Sequence, residues 1–149
     1  MQAHLGNLNI RIFNGYGHQE GSNKDNILHV WHEIEKQTII AKDEGCGVLL
    51  EVDANAKLGC NIIENDPNPI SSNGQILFDM IVRQNLMIGN LSSKCKGLIT
   101  RHRSTVDKDE KAVIDYLLYC EQMEPFLNTM MIDEPRHHVL KKYVTRNGF

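Results

Sequence analysis

The stretch GVLLEVDANAKLG, Gly47 to Gly59, decides the fold. Val48, Leu49 and Leu50 form a short apolar run bounded by glycine, which reads as a buried strand. The run leads into Glu51, Asp53 and Asn55, polar groups at every second position. Alternate residues of a strand share a face, so this spacing predicts that Asp53 and Asn55 point the same way. Either that face meets water, or it holds something that needs a carboxylate and an amide together.

Upstream, Leu8, Ile10 and Ile12 alternate with Asn9, Arg11 and Phe13, which predicts a strand ending near Tyr16. The glycine-rich loop GYGHQEGSN follows. Ser22 or Asn23 is placed to cap a helix from about Lys24, with Ile27, Trp31, Ile34 and Ala41 along one face and Gly45 at its end. Strand, helix and strand in this order predict a layered α/β or α+β domain.

Downstream, CNIIENDPNPISSN carries Pro67 and Pro69 and reads as loop. Asn73 is placed to cap a second helix over about Gly74 to Gln84, with Ile76, Leu77, Met80 and Ile81 facing inward. Leu86 to Ile88 reads as a short strand and Ala112 to Cys120 as a strong one. MMID and HVLKKYV read as a final hairpin. Two predicted strands thus carry an acid, Asp53 and Asp115, where a core residue is expected. A buried carboxylate costs several kcal/mol unless it is paired, hydrogen-bonded or metal-bound. Two in one sheet suggest a site.

Composition bounds the function. The 149 residues are the length of one ordinary domain, and 41% hydrophobic with 23% charged content fits a soluble globular chain. No stretch approaches the roughly 20 apolar residues of a membrane helix, so no membrane partner is expected. The N-terminus shows no basic segment followed by an apolar one, and no signal peptide is expected. Cys46, Cys60, Cys95 and Cys120 are widely spaced, with no C-x-x-C pair to suggest zinc or a disulfide framework. A net charge of −3 gives no global attraction to nucleic acid. Locally, KCKGLITRHR from Lys94 to Arg103 carries Lys94, Lys96, Arg101 and Arg103 and no acid; it is either a solvated loop or a phosphate-binding strip.

The order of NGYGHQE, LLEVDANAKLG, NGQILFDMIVRQNLMI, GLITRHRS and VIDYLLYC resembles the endonuclease/exonuclease/phosphatase superfamily. More narrowly it is similar to the exonuclease III-like endonuclease domain that accompanies reverse transcriptase in non-LTR retrotransposons. The similarity runs from about Leu8 to Gly148 and rests on the order and spacing of motifs that are individually weak. It implies a four-layer α/β sandwich, here partial, spanning residues 1–149 as one incomplete domain. It implies metal-assisted phosphodiester hydrolysis, with Mg2+ or Mn2+ suited to oxygen ligands. Tyr16 matches the tyrosine of the phosphate-contacting Y-x-P-like loop, with His18 where proline stands. Asp53 and Asn55 match the D-x-N pair, which orients water and contacts phosphate. Asp115 matches the aspartate of the I-D-Y segment, which orients a later catalytic histidine. Lys96, Arg101 and Arg103 would hold DNA backbone. The metal ligands are not identified. The resemblance also implies a polyprotein shared with a reverse transcriptase. Free thiols and a DNA substrate together predict an intracellular, nuclear location.

Several departures qualify these expectations. The S-D-H motif that carries the family histidine is not found, and His137 and His138 lack its flanking residues. The early metal-binding glutamate is not found either, and Glu20 does not fit its strand position. Val52 and Ala54 replace the usual glycine and aromatic around Asp53. Glu51 replaces an apolar position and is open to three readings: an exposed edge residue, a third carboxylate near a metal, or decay in a mobile-element copy. Two rival functions stand beside the nuclease. A phosphatase acting on a small or lipid-linked phosphoester would not need the basic strip. A degenerate module that binds nucleic acid or protein would not need the catalytic groups.

Overall fold

The computed structural model describes residues 1–105 and 109–132. Strand β1 (Gln2–Leu5) turns through Gly6, at φ 61°, into the antiparallel β2 (Leu8–Tyr16). Helix α1 (Lys24–Asp43) starts where the Asn23 side chain accepts from the Asp25 amide at 2.8 Å. It buries Ile27, Trp31, Thr38 and Ala41, and Gly45, at φ 72°, turns the chain out of it. Strand β3 (Gly47–Asp53) then runs parallel to β2, so β2, α1 and β3 form a crossover unit.

Helix α2 (Ser72–Arg83) is capped by Ser71, whose hydroxyl accepts from the Gly74 amide at 3.1 Å. Asn73, the expected cap, is instead buried, and its amide donates to the His18 carbonyl at 2.9 Å. The remaining strands are β4 (Met87–Ile88), β5 (Cys95–Lys96), β6 (Arg101–Ser104), β7 (Asp109–Ala112), β8 (Asp115–Tyr119) and β9 (Met130–Met131). The expected continuous strand from Ala112 to Cys120 is broken at Val113 and Ile114. There the amides of Ile114 and Asp115 both donate to the Thr100 hydroxyl, at 3.0 and 3.1 Å, and Ile114 leaves the ladder of β7. Of the expected final hairpin, Met130 and Met131 pair in parallel with Cys95 and Lys96, and HVLKKYV lies outside the described residues.

The main sheet has the order β1-β2-β3-β8-β4, with β8 antiparallel to β3. Val48, Leu50, Val52, Tyr116 and Leu118 share one buried cluster with Trp31 of α1 and Leu77 and Met80 of α2. Alternate residues of the same strands, Leu49, Glu51 and Asp53 with Asp115 and Leu117, face the other side. That side is flanked by β9, while β6 and β7 form a separate hairpin. The fold is α/β. Among the described residues it comprises one helix-backed mixed sheet and two small ladders.

Candidate active site

Tyr16, Asp53 and Asp115 form one row across the sheet. Tyr16 of β2 is the register partner of Asp53 of β3, and Asp53 is the partner of Asp115 of β8. Neighbouring strands lie about 4.8 Å apart, so three side chains from three strands converge on the face turned away from the helices. Asp53 and Asp115 border a depression of about 450 Å³ lined also by Asn14, Glu51, Thr100 and Met130.

Asn55 reaches the row by another route than strand alternation. Strand β3 ends at Asp53, and Asn55 sits beyond it in the left-handed region at φ 47°. There its amide N–H turns back to an Asp53 carboxylate oxygen at 3.3 Å, a local turn that asparagine tolerates. The Asn55 side chain donates to the Gly17 carbonyl at 3.0 Å, and the Gly17 amide donates to the Asp53 carbonyl at 2.7 Å. The loop after Tyr16 and the loop after Asp53 are thereby laced together. A Cβ on Gly17 would stand 2.1 Å from the Ala54 carbonyl oxygen, so only glycine permits this approach. The small Ala54 is fully buried in that contact, and the Asp53–Asn55 pair is fixed by backbone proximity where an aromatic was expected to pack. Val52 likewise fits without backbone strain, its methyl group filling the space beside Gly15.

Asp115 is half-buried. Burial raises its pKa, a hydrogen bond from Thr100 acts in the opposite direction, and the Asp53 charge raises it further. Among the described residues no ion pair reaches either aspartate. Asn90 holds the β8 backbone from behind, donating to the Asp115 carbonyl at 3.0 Å and accepting from the Leu117 amide at 3.2 Å. Thr100 and Asn90 were not anticipated from sequence. The buried polar Asn90 has no motif to mark it, and Thr100 is visible only as the residue before the basic strip.

Lys96 is exposed in β5, and Arg101 and Arg103 lie on one face of β6, Arg101 directly after Thr100. The strip is less uniformly basic in space than in sequence. Lys94 bonds Glu124 at 3.3 Å, His102 meets Asp109 at 2.5 Å, and Glu110 is the cross-strand partner of Arg103. Glu51 is exposed on the rim of the depression, two positions before Asp53. Glu20 lies in the exposed turn before α1, and His137 and His138 lie outside the described residues.

For a divalent cation the fit is partial. Asp53 and Asp115 offer two carboxylates that lack a cationic partner, a hard oxygen set of the kind Mg2+ or Mn2+ takes. Among the described residues no group of three histidine, cysteine or acidic side chains converges to complete it.

No protein-family model and no curated protein matches this chain. Among solved structures it is similar to the endonuclease domain of TRAS1, a telomere-specific non-LTR retrotransposon, with a TM-score of 0.57 and 15% identity. The match covers 83% of this chain and 50% of that one, so the chain spans about half the length of the structure it matches. At this identity the likeness establishes the fold, which is the fold that the sequence motifs resemble.

Proposed function

We propose that this chain carries the D-x-N portion of a metal-dependent DNA endonuclease domain, of the kind that nicks DNA to leave a 3′-hydroxyl for reverse transcription. The observation that supports it is the row of Tyr16, Asp53 and Asp115 in direct cross-strand register, with Asn55 tied beside Asp53. A phosphodiester repels nucleophiles through its own charge, so hydrolysis needs an oriented water and donors aimed at the phosphate oxygens. The Asp53 carboxylate orients that water and accepts its proton. The second Asn55 amide hydrogen and the exposed Tyr16 hydroxyl donate to the phosphate. Asp115, held by Thr100, orients a proton-carrying partner group. A bound Mg2+ or Mn2+, with Asp53 and Asp115 among its ligands, would supply Lewis acidity. Arg101 and Arg103, with Lys96, hold the flanking backbone. The chain covers half of the matched structure, and among the described residues no group of three histidine, cysteine or acidic side chains completes the site; a retrotransposon polyprotein is the context this reading implies.

The test is plasmid nicking by the purified 149-residue chain in Mg2+, with EDTA and Asp53→Ala as controls. We expect any nicking to be abolished by EDTA and to fall at least about 100-fold in Asp53→Ala. Neutralising Lys96, Arg101 and Arg103 together weakens cleavage of DNA and spares a small phosphoester. Nicking unchanged in Asp53→Ala, or a folded chain that neither binds nor nicks DNA, sinks the reading. DNA binding without nicking keeps the substrate and removes catalysis from this chain.

A further inference from the structure

We propose that His18 is a phosphate-contacting residue on the β2 side of the site, bracketing the scissile region opposite Arg101; this rests on the phosphodiester reading above. His18 follows Tyr16 by two residues, just past the end of β2. Both flank Gly17, which is hydrogen-bonded to Asp53 and to Asn55, so both lie beside the Asp53–Asn55 turn. The segment between them is held at three points. Gly17 donates to the Asp53 carbonyl and accepts from the Asn55 side chain, and the His18 carbonyl accepts from the buried Asn73 of α2. So much anchoring of a three-residue segment fixes where the half-buried imidazole starts from. Among the described residues the ring makes no hydrogen bond or ion pair, and its nitrogens are left for a ligand.

Charge supplies the second reason. The row and its rim carry Glu51, Asp53 and Asp115. A phosphate approaching three carboxylates needs positive groups on both flanks. On the β8 side Thr100, bonded to Asp115, leads into Arg101. On the β2 side His18 is the residue of the stitched loop that can carry a positive charge. Proline, expected at this position from the resemblance, offers neither a donor nor a charge.

The test uses the full chain and a short DNA duplex at about pH 5.5. Binding is followed by anisotropy across a salt series, and the His18 ring by NMR. We expect the His18 ring resonances to shift saturably with DNA. His18→Gln should weaken binding about tenfold at low salt and reduce the log–log salt slope by about one. His18→Pro should give the same two changes. A merely structural residue would lower affinity without moving the slope. DNA binding with an unmoved His18 ring and an unchanged slope in both variants overturns this proposal and leaves the nuclease reading standing. A folded chain with no DNA binding at all overturns both.

Discussion

Along β3, Val48, Leu50 and Val52 alternate with Leu49, Glu51 and Asp53, and the two sets inhabit different media. The first set is sealed against α1 and α2, with Val48 and Leu50 at 0% exposure. Of the second set, the acids Glu51 and Asp53 border an open depression. Strand β8 repeats the division, with Tyr116 and Leu118 inside and Asp115 and Leu117 across from them. Core and site are therefore two sides of one backbone. The helix-backed face fixes strand positions to crystal-like packing, and the acids inherit that precision without contributing to it. The phosphate site proposed for this face needs such placement, because donors misplaced by about 1 Å forfeit much of their effect.

The sharpest way to break this comparison is to make one substitution on each face of β3. Leu50→Ala leaves a cavity in a sealed core and should cost about 2–5 kcal/mol in urea denaturation. Leu49→Ala, half-buried on the other face, should cost about 1 kcal/mol. Equal losses would mean that both faces are equally packed. Next in size is Gly17→Ala. The new methyl must push the Ala54 carbonyl aside, and we expect a loss of about 1–3 kcal/mol. Backbone amide NMR should show the disturbance concentrated at Asp53 to Asn55; a shift confined to β2 would refute the lacing of the two loops.

The smallest effect has the opposite sign. Burial chiefly, and the Asp53 charge after it, hold the Asp115 pKa above its unfolded value, against the Thr100 hydrogen bond. A group shifted upward contributes stability that is present below the unfolded pKa and is lost as pH rises through the folded one. Asp115→Asn should therefore stabilise the chain at pH 7, by about 0.5 kcal/mol after allowance for solvent screening. The gain should vanish below about pH 4. A variant less stable than the parent at neutral pH would show that the Thr100 bond outweighs burial.

The helix-backed face was the legible part. Period-two alternation located β2 and β3, and apolar spacing located α1 and α2, because burial on one side imposes those periods. Strand β1 was missed although Gly6-Asn7 between Leu5 and Leu8 is a two-residue hairpin turn of the expected kind. Ser71 was passed over as a cap because Asn73 is an equally good cap by composition, and only burial of Asn73 decides between them. The break between β7 and β8 depends on Thr100, fourteen residues before Ile114, and no local pattern marks it. In the site, the residue types of Tyr16, Asp53, Asn55 and Asp115 were legible and their register was not. Register is a property of pairs of strands, and one strand's sequence holds half of it. Asn55 was assigned to the right neighbourhood by the wrong geometry, since a left-handed turn and a continuing strand share the same two-residue spacing.

The facing aspartates have a consequence for assembly of the sheet. A slip of one residue between β3 and β8 would turn Asp115 and Leu117 toward the helices and Tyr116 and Leu118 outward. That arrangement buries an unpaired carboxylate among Val48, Leu50 and Met80, at several kcal/mol. Moving β3 instead would put Glu51 and Asp53 there, which is worse. The two carboxylates thus act as a spell-check on strand pairing: every slip by an odd number of residues places a charge in oil.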